Sequence, residues 1–178
     1  RYRELVSGRR RLIWFTLALG ISLVPAVSAV AQWQNWVLYW NSGEFGVNDL
    51  HFGRDIGFFV FKLPLLSAAT DWLLGFLLLT ILITTVIHYL NGAIRIGVPA
   101  QKVSVNAKAH ISVLLALAAF VKAIDYWLER SRLVLSDGSS FDGAGYTDIH
   151  ATLPAIQLMI LISVFAGIVL LVNIRREG

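Results

Sequence analysis

Trp72–Asn91 reads WLLGFLLLTILITTVIHYLN, a run of twenty residues without one Asp, Glu, Lys or Arg. At 1.5 Å per residue, a helix of this length covers about 30 Å, the thickness of a bilayer's hydrocarbon core. Three further runs are similarly long and apolar: Leu12–Ala31, Leu153–Ile174 and Ala109–Leu128, the last with Lys122 and Asp125 as its charges. Apolar residues make up 57% of the chain, against roughly 45–50% in soluble domains, and the excess is concentrated in these runs. The sequence therefore predicts an all-α fold, a polytopic membrane helix bundle of four transmembrane helices. The helices are expected at about 12–31, 72–91, 109–128 and 153–174, with outer loops at 32–71 and 129–152 and a cytoplasmic loop at 92–108.

The flanking charges predict an orientation. Arg1, Arg3, Arg9, Arg10 and Arg11 precede the first run, Arg95, Lys102 and Lys108 lie between the second and third, and Arg175 and Arg176 follow the fourth. The alternate loops hold only Arg54, Lys62, Arg130 and Arg132. Lys and Arg accumulate on the cytoplasmic side of membrane proteins, so both ends of the chain and the 92–108 loop are expected in the cytoplasm. The net charge of +4 thus belongs to helix ends rather than to a nucleic-acid-binding face. The first run also has the basic start and small-residue end of a secretory signal peptide. Residues precede it without an initiator Met, so a retained helix is the expected reading, with Pro25 as an internal kink and the chain as a piece of something longer.

The 32–71 loop is rich in aromatic residues, which favour the bilayer interface because one edge of the ring can be wet and the rest dry. Trp33, Trp36, Trp40, Phe58, Phe59 and Phe61 are expected there, with QWQNWVLYW extending the first helix outward. Arg54, Asp55 and Lys62 are expected to reach water. Pro64 is expected to start or break a helix leading toward Trp72. In the 129–152 loop, Asp137, Asp142, Asp148 and His150 lack the alternating order of a calcium loop. The pairs Asp137-Gly138 and Asp142-Gly143 read as turns, and Asp148 or Thr152 as a helix cap ahead of Pro154.

Polar groups within the runs are the candidate site residues, since each is costly in hydrocarbon. Lys122 and Asp125 are three residues apart and share a helix face, making a candidate intramembrane pair, either structural or coupled to a substrate or proton. Thr80, Thr84 and His88 form a polar stripe at steps of four, whose threonines can bond the carbonyls four residues back. His88 and His110 flank the cytoplasmic loop and are expected as interfacial anchors; the loop could also bring them together as a proton relay or metal site, although two histidines fall short of a zinc set. Small residues spaced by four, Thr16 with Gly20 and Ser163 with Gly167, suit close helix approach. No nucleophile elbow, phosphate loop, zinc-protease motif or catalytic carboxylate pair is present, and the chain has no cysteine. The residues imply no enzyme, no cofactor, no metal and no nucleic-acid partner.

Three strings, QWQNWVLYWNSGEFGVNDLHFGRDIGFFVFKLPLL, HYLNGAIRI and KAIDYWLERSRLVLSDGSSFDGAGYTDIHATLPA, resemble uncharacterised protein family zero-one-eight-two, a family of bacterial integral membrane proteins common in actinobacteria. The resemblance covers nearly the whole chain. It implies seven transmembrane helices followed by a large extracytoplasmic domain, with the four runs as helices three to six. The partners it implies are the bilayer, the remaining helices and outer domain of the same protein, and other membrane proteins, with a plasma-membrane location. It brings no catalytic residues. Two functional expectations follow: a membrane anchor for the outer domain, or a transport or lipid- and envelope-handling component that uses polar groups inside the bundle.

Overall fold

The computed structural model describes residues 10–95, 103–135 and 143–177. Lys102, Asp137 and Asp142 lie outside them, as do Arg1, Arg3 and Arg9. The chain is all-α: α1 (Arg10–Ala31), α2 (Trp33–Trp40), α3 (Leu63–Leu90), α4 (Val105–Arg132) and α5 (Leu153–Glu177). No strand forms among the described residues; two isolated β-bridges, Asn48 with Asp55 and Ile94 with Val103, pin loop ends. Among the described residues, three helical stretches are long and apolar enough to cross a membrane: Phe58–Leu90, Val105–Leu135 and Asp148–Ile174.

Among the described residues the α-helices number five, α2 being short, and three stretches rather than the expected four have the length and apolarity of a span. The outward extension of the first run is cut at Gln32, whose backbone (φ −89°, ψ 10°) leaves the helical track, and it becomes the separate α2. Trp72 is not a helix start either. Helix begins upstream, in a π-helical turn at Phe58–Lys62 that runs straight into α3. The reason lies at Pro64. A proline in a helix has no N–H and crowds the carbonyl four residues back, and a widened turn relieves both problems. The Leu63 N–H bonds the Phe58 carbonyl five residues back, so the chain stays helical past the proline. α5 repeats the device: a π turn at Asp148–Thr152 precedes Leu153-Pro154, and the Leu153 N–H bonds the Asp148 carbonyl. Helix already begins at Tyr146, upstream of both expected caps, and Asp148 in its first turn accepts the Gly145 N–H through Oδ2 at 3.0 Å, the reciprocal bond of a capping box.

α4 is the central element, packed along α5 on one side and α3 on the other. Its buried face carries small residues, Ala107, Ala116, Ala118 and Ala123, which let neighbouring backbones come close. One apolar cluster joins Leu77 of α3 to Ala118 and Val121. A second joins Phe59 and Leu63 to Leu128 near the α4 C-terminus. On the α5 side, a Cβ added at Gly167 would lie 2.8 Å from the Phe120 ring. Gly167→Leu should therefore loosen the α4–α5 seam by about 1–3 kcal/mol, the usual cost of overpacking, and Gly167→Ala should cost less because the ring can swing. Thermal melting of the detergent-solubilised protein checks the order.

The outward faces are apolar: Leu82 is 62% exposed, Leu161 68% and Phe165 69%. So broad an apolar exterior marks an interaction surface rather than a face for water. Phe59, one of the residues expected at the interface, packs onto neighbouring helices and is 3% exposed. Trp33, Trp36 and Trp40 are exposed. Within α1, Pro25 keeps its helical place, and its carbonyl accepts the Trp72 indole N–H at 3.2 Å, tying α1 to α3.

Candidate functional site

The 41–57 connection is organised by Asp55, whose carboxylate does not simply reach water. Oδ1 accepts the Phe45 N–H at 3.0 Å and the Gly57 N–H at 2.7 Å, and Oδ2 accepts the Gly46 N–H at 2.8 Å. Gly46 sits at φ 71°, where only glycine is comfortable. Asp49 closes the neighbouring turn on the His51 and Phe52 amides, and Phe45 stacks on Phe61 at 5.7 Å. The Phe45 amide, foremost among these donors, holds the Asp55 carboxyl below its ordinary value near 3.8, because they favour the charged form. A depressed folded-state value means that the stabilisation is complete above the ordinary value and fades as pH falls through the lower, folded one. Exchange protection of the Phe45, Gly46 and Gly57 amides, corrected for intrinsic rates, should hold from neutral pH to near the ordinary value and decline only below it. Asp55→Asn should remove that protection at every pH.

Deeper along α4, Asp125 is 5% exposed and serves two cations. Lys122 Nζ donates to Oδ2 at 2.7 Å, and Arg132 Nη2 reaches Oδ1 at 3.4 Å. Lys122 also lies over the Tyr126 ring at 4.5 Å. Arg132 Nε donates to Ser67 Oγ of α3 at 3.0 Å, so the charge cluster ties the two helices together. Sequence reading paired Lys122 with Asp125 and missed Arg132. The available signal was spacing: Arg132 is seven residues from Asp125, two turns along the same face.

Arg132 also borders a cavity of about 650 Å³ between the α1–α2 break and the start of α3, with Ser67, Asp71 and Trp72 on its wall. In the polar stripe of α3, Thr80 donates to the Phe76 carbonyl at 2.8 Å, and the neighbouring Thr85 does the same to Ile81 at 2.7 Å. These hydroxyls are spent on their own helix. His88 Nε2 lies 3.3 Å from His110 Nδ1, bridging the far ends of α3 and α4, with the rings edge to face. Among the described residues, no group of three or more His, Cys, Asp or Glu is placed to hold a metal ion.

Two arginines complete the picture at the C-terminal end of α4. Arg54 lies over the Phe58 ring at 4.4 Å and the Trp127 ring at 4.7 Å. Arg130 lies over Phe52 at 5.4 Å and Trp127 at 5.8 Å. Neither was expected to stack, since pattern in sequence does not show which aromatic a loop arginine meets.

Fold and site together define an all-α protein whose described residues include three helices of membrane-spanning length and apolarity, two of them tied by a charge cluster around buried Asp125. The family model described as Uncharacterised protein family (UPF0182) matches residues 1–178, and the chain belongs to that family. It is 38% identical over 99% of its length to a UPF0182 protein of Nocardioides sp., covering 18% of that protein. It is 38% identical over its full length to one of Frankia alni, covering 17% of it, and 39% identical to one of Frankia casuarinae, covering 18%. The chain thus spans less than a fifth of the length of these curated relatives. No solved structure matches it.

Proposed function

We propose that this segment is a multi-pass part of a bacterial plasma-membrane protein, without catalytic activity of its own, that anchors an extracytoplasmic domain. In this reading α1 crosses the membrane together with the three longer helices, and Arg10 and Glu177 both lie on the cytoplasmic side. The observation that carries the anchoring role is the closure of the intramembrane charges. Lys122 and Arg132 both converge on Asp125, and Arg132 also bonds Ser67, which ties α3 to α4 through charges that satisfy one another. Closed pairing of this kind serves structure; charges that work on a passing ion or substrate face a water-filled path.

A second reading, transport or lipid handling, is favoured by the cavity bordered by Ser67, Asp71 and Arg132. A replacement experiment separates the two. In the full-length protein, residues 10–177 are exchanged for unrelated transmembrane helices of the same topology, and growth under envelope stress is compared with wild-type and deletion strains. Retained growth is the result expected for an anchor. Deletion-like growth with a stable, membrane-inserted chimera would shift the assignment to transport or lipid handling.

A further inference from the structure

Arg54 and Arg130 present a chemical problem that the anchoring role leaves unsolved. Both guanidinium carbons lie within 6 Å of the one indole ring of Trp127. Among the described residues neither side chain makes an ion pair or a hydrogen bond, and Arg130 Nε is buried with no acceptor at all. A partly desolvated cation without an anion is costly. Stacking on aromatic faces returns only about 0.5–2 kcal/mol of that. The terminal nitrogens remain, forked and planar, in the geometry that suits a phosphate or carboxylate.

Directly beside this pair runs an apolar groove of about 360 Å³ between α4 and α5, lined by Phe120, Ala123, Ile124, Trp127, Ile160 and Val164. No polar side chain is among those residues. Trp127 belongs to both features: it is the stacking platform for the arginines and the upper wall of the groove. From Trp127 to Phe120 the groove follows α4 for seven residues, about 10 Å, the length of roughly half an acyl chain. A cationic mouth above a wholly apolar channel, with a tryptophan at the junction, matches an amphiphile that has an anionic head and a hydrocarbon tail. Free phosphate would leave the groove unused, and a neutral lipid would leave the arginines unpaired.

We propose that Arg54, Arg130 and the α4–α5 groove form a binding site for one anionic phospholipid, its phosphodiester at the two guanidiniums and one acyl chain along Ile124 and Phe120. This rests on the helices being membrane spans. With the orientation proposed above, the lipid comes from the outer leaflet.

The test uses the full-length protein, first checked for resistance to carbonate extraction from membranes and then examined by native mass spectrometry after equilibration with equal phosphatidylglycerol and phosphatidylcholine. Retained phosphatidylglycerol is compared between wild type, Arg54→Gln/Arg130→Gln and Ile124→Trp, the last filling the groove from an exposed position (51%) without changing charge. Each arginine near a lipid surface contributes about a fivefold preference for anionic lipid, so the double variant should lose one bound phosphatidylglycerol and keep its melting temperature. Ile124→Trp should lose the same lipid. An unchanged lipid count in the folded double variant overturns the proposal. If that variant does not fold, an unchanged count in Ile124→Trp overturns it equally. Extraction of the wild-type protein by carbonate would instead overturn the membrane reading, and the lipid site with it.

Discussion

The double variant Lys122→Met/Arg132→Met is expected to cost about 3–5 kcal/mol, the penalty for stranding a buried charge, and to lose most of its folded membrane yield. Asp125 would then sit at 5% exposure with neither of its two cations. The reverse change is expected to be mild. Asp125→Leu leaves Lys122 and Arg132, whose side chains are 37% and 36% exposed, free to extend their heads toward the interface, at a cost of about 1 kcal/mol. The asymmetry follows from which partner is desolvated. The triple variant Lys122→Met/Asp125→Leu/Arg132→Met should recover most of the lost stability, because removing every member leaves nothing unpaired. Melting temperature and folded yield of the full-length protein in mild detergent check all three. If the triple variant stays as damaged as the double, the cluster is not a closed structural unit.

Leu128→Ala is the second large effect. Leu128 is 2% exposed and packed against Phe59 and Leu63, so truncation should cost about 2–4 kcal/mol in lost contacts and residual cavity. Leu161→Ala, at 68% exposure on α5, should stay within about 0.5 kcal/mol of wild type. Their difference also tests the helix boundary at Phe58. Were Phe58–Leu66 a loop lying in lipid, Phe59 and Leu63 would form no core, and Leu128→Ala would resemble Leu161→Ala. The same melting series reads it directly.

The long apolar runs were legible because a span needs only length and composition, and Trp72–Leu90, Ala109–Leu128 and Leu153–Ile174 all lie inside helices. Their outer limits were not legible. Pro64 read as starting or breaking a helix and Pro154 as lying in a first turn, yet a π turn lets each helix begin upstream of its proline. That backbone adjustment leaves no periodic trace. Charges at Arg54, Asp55 and Lys62 also argued for a loop, although Lys62 lies within the helical stretch. For polar contacts, i,i+3 spacing put Lys122 and Asp125 on one face, but Arg132 and Ser67 needed the α3–α4 crossing to be known. Asp55 read as a solvated loop acid because sequence does not reveal which backbone amides will be left without partners. The Arg54–Trp127 stack joins residues far apart in the chain, and only the tertiary arrangement could supply it.

A membrane-embedded bundle has one orientation, and the absence of cysteine from this chain makes that orientation directly measurable. Leu50, 99% exposed in the loop after α2, and Arg95, exposed just beyond α3, are each replaced by cysteine in full-length protein lacking other accessible thiols. Intact cells are then treated with a membrane-impermeant maleimide. The account predicts labelling of Leu50→Cys in intact cells and of Arg95→Cys only after permeabilisation. Labelling of both positions from outside, or the reverse pattern, would contradict it.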